Sequence, residues 1–211
     1  MKRKRWIGWL LILSLLAACS QGGTASKDET QGVGAETGEG GAAAESKTLR
    51  VRFYDDPAGF DPATIFRVEN ENIAFQIFSG LTTYESKTGA IIPDLAESWS
   101  TDDNVTWTFK LRQGVQWQGG YGEFTSADVL YSYERILDPA TASPYAPEFA
   151  NVESFEAPDP YTFVVKLKSP DANFLHLVAN YHQGQIVKKE AVEALGDQFK
   201  WNPVGTGPYR L

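Results

Sequence analysis

The alternation of hydrophobic and polar positions changes rhythm several times along the chain. Residues 6–18 are apolar apart from Ser14 and follow the basic cluster Lys2, Arg3, Lys4 and Arg5. Beyond Lys47 the period becomes two: Leu49, Val51 and Phe53 alternate with Arg50, Arg52 and Tyr54, which predicts a strand with one buried face. After the turn-rich DDPAGFDP, the stripe Ile73, Ile77, Phe78 and Leu81 predicts a helix over 70–79 closed by Gly80, followed by a short strand at LTTYE and a turn at ESKTGA. In VTWTFKLR, Val105, Trp107, Phe109 and Leu111 share one face; in YTFVVKLK, Tyr161, Phe163, Val165 and Leu167 do the same. Two such segments with one wet face suit an antiparallel sheet.

Between these strands, Thr125-Ser126-Ala127-Asp128 opens a helix in the manner of a capping box, and Asp138-Pro139 ends it. Leu130, Tyr133 and Leu137 are its expected buried stripe. PDANFLHLVAN and KKEAVEALGDQF are helical by period, the second ending or restarting at Gly196, and PVGTGPYRL reads as the beginning of a strand. The elements make an α+β arrangement in which the final strand is entered but not completed.

Composition adds to this at the N-terminal end. A basic start before thirteen mostly apolar residues is the pattern of an export signal. As a helix the run would reach only roughly 20 Å, against a hydrocarbon core of about 30 Å, so a spanning segment fits less well. Residues 19–46 are mostly Gly, Ala, Ser, Thr and acids with no aromatic residue, too little apolar surface to offset ordering, and predict a flexible tether with a mean reach of roughly 30 Å. The GVGAETGEG within it departs from the spacing of a dinucleotide loop and has no strand before it. The net charge of −8, more negative still once the basic start is removed, disfavours nucleic acid as a partner.

Candidate catalytic sets are weak. Asp55, Asp56 and Asp61 lie in a turn-rich stretch, where acids are usually solvated. His176 and His182 are six apart, off a common helical face, and are expected on the surface with no third metal ligand. No G-x-S-x-G elbow occurs. Trp99, Trp107 and Trp117 could stack on a sugar, but Trp107 falls on a buried strand face, which favours core packing. These residues predict no catalytic set, no metal site and no cofactor.

The tetrad LAAC at 16–19 resembles the bacterial lipobox, which implies that Cys19, the single cysteine, becomes the lipidated first residue of the mature protein. PDLAESW at 93–99, WTFKLRQGVQWQGG at 107–120, FTSADVLYSYERILDP at 124–139 and NPVGTGPYRL at 202–211 come in the order and spacing of the peptide-type, family 5 solute-binding proteins of ABC importers. TASPYA at 141–146 resembles the oligopeptide and dipeptide binders in particular. The loop QGGYGEFTSAD is a residue or two longer than the usual turn.

This resemblance implies a periplasmic-binding-protein-like fold of two α/β lobes joined by a hinge, with an α+β subdomain inserted in the first. Residues 1–18 would be the signal and 19–46 the tether. Segments 47–84 and 169–211 would belong to lobe I and 85–168 to the insertion, with the second lobe outside this chain. It implies a monomer, held outside the cell membrane through its anchor, that takes a peptide or other small solute and presents it to an ABC permease. By the same resemblance, Phe66, Arg67 and Val68 offer backbone groups to an extended peptide, and Tyr145 aims its phenol into the cleft. Nickel, haem or a sugar in place of the peptide, a signalling receptor and, more remotely, a secreted hydrolase are the alternatives.

Overall fold

The computed structural model describes Arg50, Arg52 and residues 55–211. The signal, Cys19, the tether and the strand expected at Leu49, Val51 and Phe53 lie outside the described residues. In chain order the elements are α1 (Val68–Ile77), β1 (Thr82–Tyr84), β2 (Ile91–Pro93), β3 (Ala96–Ser100), β4 (Thr106–Leu111), α2 (Ser126–Leu137), β5 (Val152–Asp159), β6 (Thr162–Leu167), α3 (Phe174–Leu177) and α4 (Lys189–Leu195).

Strands β3, β4, β6 and β5, in that spatial order, form an antiparallel sheet. Trp107 pairs with Val165 and Phe109 with Phe163, so the apolar positions of the two central strands fall on the same face. That face is buried, while Thr106, Lys110 and Lys166 on the other side are exposed. Helix α2 covers it through Tyr133, whose ring lies 5.4 to 5.9 Å from those of Phe149, Phe155 and Phe163. Phe174 packs on Trp107 at 5.6 Å, and Trp117 is also buried, so both indoles serve the core.

The start of α2 is where the sequence expected it. Asp128 accepts the Thr125 N–H at 2.9 Å, closing the first turn. The buried stripe differs: Val129, Ser132, Tyr133 and Ile136 face the core, Leu130 is half-buried and Leu137 is 41% exposed. The helix is rotated because Ser132 and Asp128 are buried with partners. The Ser132 hydroxyl donates to the Asp128 carbonyl at 2.7 Å and accepts the Val187 N–H at 2.9 Å.

Two other expectations are corrected. The helix expected over PDANFLHLVAN is only the single turn α3, because residues 178–186 leave it to run beside β1: Leu81 N–H donates to Val178 O and Asn180 N–H to Thr82 O. The segment at 203–211 is not a strand. Its Gly207 and Tyr209 N–H groups instead donate to the Ile77 and Gln76 carbonyls, supplying partners to two acceptors left over at the end of α1. The hairpin tip after Trp117 is a 3₁₀ turn at Gln118–Gly120, with Gly119, Gly120 and Gly122 all at positive φ.

Candidate functional site

The turn DDPAGFDP folds over α1 and α2 rather than into solvent. Asp61 is buried and grips Arg135 of α2 with both oxygens, at 2.8 and 2.6 Å, while Asp55 and Asp56 remain exposed. Solvated acids were therefore the right expectation for two of the three. A two-pronged guanidinium grip fixes position as well as charge. Here it anchors the chain just ahead of residues 66–68.

Beyond that anchor the backbone is extended at Arg67, and the side chains of Phe66 and Val68 are 71% and 66% exposed. Arg67 pairs with Asp55 across an exposed 2.5 Å contact, a kind of ion pair worth little in stability. Among the described residues the N–H groups of Phe66 and Arg67 have no partner. A cavity of about 50 Å³, room for a water molecule or two, lies against Phe66 and Arg67 and is bordered by Gly59, Ile65 and Asn70.

Tyr145 sits at the start of a 3₁₀ turn, Ala146–Phe149, and is buried. Its hydroxyl donates to the Ile65 carbonyl, the residue before Phe66, and lies 2.8 Å from His182 Nδ1. The four residues named from the resemblance thus fall in one neighbourhood, with Tyr145 holding the backbone from which Phe66, Arg67 and Val68 extend.

His182 is not a surface residue. Its side chain is 14% exposed and lies against Glu71, which is itself 2% exposed. Glu71 Oε1 accepts the His182 N–H and the Gln185 side-chain amide, each at 3.0 Å, and Oε2 is 3.3 Å from His182 Nδ1. Burial pushes the Glu71 carboxyl up to about 7, against the pull of the His182 N–H. A shift of that size corresponds to about 3 kcal/mol. The helix dipole at the first turn of α1 favours the charged form by at most about 2 kcal/mol, so desolvation wins. Burial also holds the His182 imidazole below its ordinary 6.5 and pushes the Tyr145 phenol up to about 12.

Local sequence gave no sign of this cluster, since Glu71 and His182 are 111 positions apart. The backbone at His182 has φ of 43°, unusual for a residue with a side chain. Tyr181, 38% exposed, packs on His182 and on Phe75 at 3.8 and 5.6 Å between rings. The other histidine, His176, is exposed and meets only the Tyr84 hydroxyl at 3.1 Å. Among the described residues no three His, Cys, Asp or Glu side chains converge to hold a metal ion. What the arrangement offers is a rigid polar ledge of backbone donors, a phenol and an imidazole.

The family model for the middle region of bacterial extracellular solute-binding proteins, family 5, matches residues 90–211. The periplasmic oligopeptide-binding protein OppA of Haemophilus influenzae is 34% identical over 194 residues, covering 82% of this chain and 35% of that protein. The periplasmic murein peptide-binding protein MppA of Escherichia coli is 31% identical over 195 residues, covering 84% and 36%. The solved structure of H. influenzae OppA in complex with the peptide RPPGFSPFR superposes with a TM-score of 0.67 at 35% identity, over 74% of this chain and 34% of that one. The chain therefore spans about a third of the length of the relatives it matches.

Proposed function

Since the chain belongs to the family 5 bacterial extracellular solute-binding proteins, with a mixed helix and sheet fold that matches part of a periplasmic binding protein, we propose that it captures peptides outside the membrane and delivers them to an ABC permease. The observation that carries the proposal is the extended, outward-facing run of Phe66, Arg67 and Val68 beside Tyr145. A general peptide binder must grip main-chain groups, because side chains vary from one ligand to the next. An edge whose N–H groups have no partner among the described residues is suited to that task. Closure of a second lobe about a hinge would bury the peptide and produce the form that a permease reads.

The lobe boundaries follow the same proposal. Segments 47–84 and 169–211 form lobe I and 85–168 the inserted subdomain. Support comes from the sheet, whose strands all lie within 96–167, and from β1, which is bonded to residues 178–180. Phe66, Arg67, Val68 and Tyr145 contact the ligand. The phenol gives its proton to the Ile65 carbonyl and, beside the His182 ring at 2.8 Å, can meet the solute only as an acceptor.

Calorimetry on the full-length protein with alanine peptides of two to five residues tests the capture step. Binding is expected, with Tyr145→Phe weakening it by about threefold to tenfold, as one lost hydrogen bond of about 0.5–1.5 kcal/mol requires. The same variant leaves the Ile65 carbonyl without its donor, so the melting temperature should fall by a few degrees, roughly 2–4 °C per kcal/mol. No binding of any peptide in the series would refute the proposal.

Attachment to the membrane is proposed through lipidated Cys19, supported by the LAAC tetrad after the apolar run. Two acyl chains hold a protein stably where one gives marginal binding. Cys19→Ser should move the protein from the membrane fraction to the soluble fraction. A mature N-terminus at any residue other than Cys19 would refute the anchor while leaving peptide capture intact.

A further inference from the structure

We propose that His182 is a ligand-contacting residue of this site, its Nε2 accepting a hydrogen bond from an N–H group of the bound solute, an amide or an ammonium. The inference rests on the peptide-binding proposal, since peptides carry such donors along their whole length.

Proton accounting assigns the tautomer. The Tyr145 hydroxyl has one proton and gives it to the Ile65 carbonyl, so toward His182 its oxygen can only accept. Nδ1 therefore carries the hydrogen and donates it to the Tyr145 oxygen at 2.8 Å. In a neutral imidazole protonated at Nδ1, the lone pair is on Nε2. That atom has no partner among the described residues and is not among the buried polar atoms left without one. The side chain as a whole keeps 14% of its surface exposed.

The backbone supports a role beyond packing. A left-handed φ in a residue with a side chain costs of order 1 kcal/mol and persists only where its surroundings enforce it. Here a buried carboxylate is spent on the His182 N–H, and Gly184 lies so close to Ala179 that only a glycine fits. These constraints hold one imidazole at one angle beside the carbonyl that leads into Phe66.

The ionisable groups facing the ring are Glu71 from α1, Tyr145 and Glu148 from the 3₁₀ turn region, and the neighbouring Tyr181; Gln183 and Gln185 are neutral. Burial keeps the imidazole below its ordinary 6.5, so it is neutral at pH 7 and available as an acceptor. Protonation would place a hydrogen on Nε2 and turn the acceptor into a cationic donor. Affinity for an N–H donor must then fall as the pH drops through the imidazole's pKa.

The test is binding of alanine peptides of two to five residues to the full-length protein between pH 7 and pH 5, with His182→Ala and His182→Gln beside the wild type. His182→Ala should bind about threefold to tenfold more weakly at pH 7. His182→Gln keeps an acceptor that cannot titrate, so it should bind within about threefold of the wild type at pH 7 and lose the part of the pH dependence due to the ring. Any pH dependence left in that variant comes from groups other than the ring, Glu71 and Asp94 among them. Nitrogen-15 spectra of the wild type supply an arm free of folding artefacts: Nε2 should show the shift of an unprotonated ring nitrogen and move when peptide is added. Peptide binding that is equal in all three proteins at every pH, or an Nε2 that carries the hydrogen in the neutral ring, overturns the inference and leaves the peptide proposal standing. Failure of the wild type to bind any of these peptides overturns both.

Discussion

Gly184→Ala is expected to lower the melting temperature by about 6–12 °C and to weaken peptide binding beyond what the loss of the Tyr145 hydroxyl would do. A Cβ built at this position would lie 1.7 Å from the Ala179 carbonyl oxygen and 2.7 Å from its carbon, and both are backbone atoms that no rotamer change can clear. Overpacking of this kind costs typically 1–3 kcal/mol and sometimes more. The upper end is expected because residues 178–186 are fastened on both sides. Tyr181 N–H donates to Ala179 O, Gly184 N–H to Tyr181 O, and Ile186 N–H to Ser79 O. The turn cannot open without releasing these bonds. At roughly 2–4 °C per kcal/mol for a protein of this size, about 3 kcal/mol gives the stated shift. His182 rides on the same turn, so the strain also moves the imidazole away from Glu71 and Tyr145. A melting temperature within 2 °C of the wild type would mean that the turn yields freely and that His182 is not held as described.

Gly184 also marks where local sequence stops being informative. Alternation identified β4 and β6 correctly because each has one face in the core and one in water, so every second residue reports its side. The same rule passed over β3 and β5. Both are edge strands whose register slips, between Ala96 and Ser98 in one and at two places in the other, and a bulge breaks a period of two. In α2 the sequence carries two apolar stripes that share Tyr133, one through Leu130 and Leu137 and one through Val129 and Ile136. Hydrophobicity alone cannot choose between them. The choice is made by buried polar partners, Ser132 to Val187 and Asp128 to Lys188, 55 and 60 positions away. The candidate site divides in the same way. Phe66, Arg67, Val68 and Tyr145 were reached by resemblance, whereas Glu71 and His182 carry no short-range pattern. His182 set six residues after His176 suggests nothing by spacing, and it becomes informative only when the fold places a buried acid against it.

Asp128→Ala is expected to be as damaging as Gly184→Ala for the opposite reason, a lost partner in place of a collision. One carboxylate, 3% exposed as a residue, serves three groups: the Thr125 N–H at 2.9 Å, the Trp117 indole N–H at 3.2 Å and the Lys188 ammonium at 2.9 Å. Removing it opens the first turn of α2, which typically costs about 1 kcal/mol. It also leaves a buried indole N–H unpaired. The largest cost comes from Lys188, whose side chain is 12% exposed and retains only Glu190 at 3.3 Å, a carboxylate 63% exposed and therefore well screened by solvent. Breaking a buried ion pair by deleting one partner costs about 3–5 kcal/mol, most of it from the stranded charge. The melting temperature should therefore fall by about 10 °C or more. The origin of the loss can be separated by adding Lys188→Met, which removes the stranded charge at similar volume. If that charge dominates, the double variant recovers more than half of the stability lost by Asp128→Ala, and the two substitutions are strongly non-additive. Simple additivity in the cycle would instead assign the cost to the helix start and the indole, and would mean that the ammonium finds water or Glu190 once Asp128 is gone.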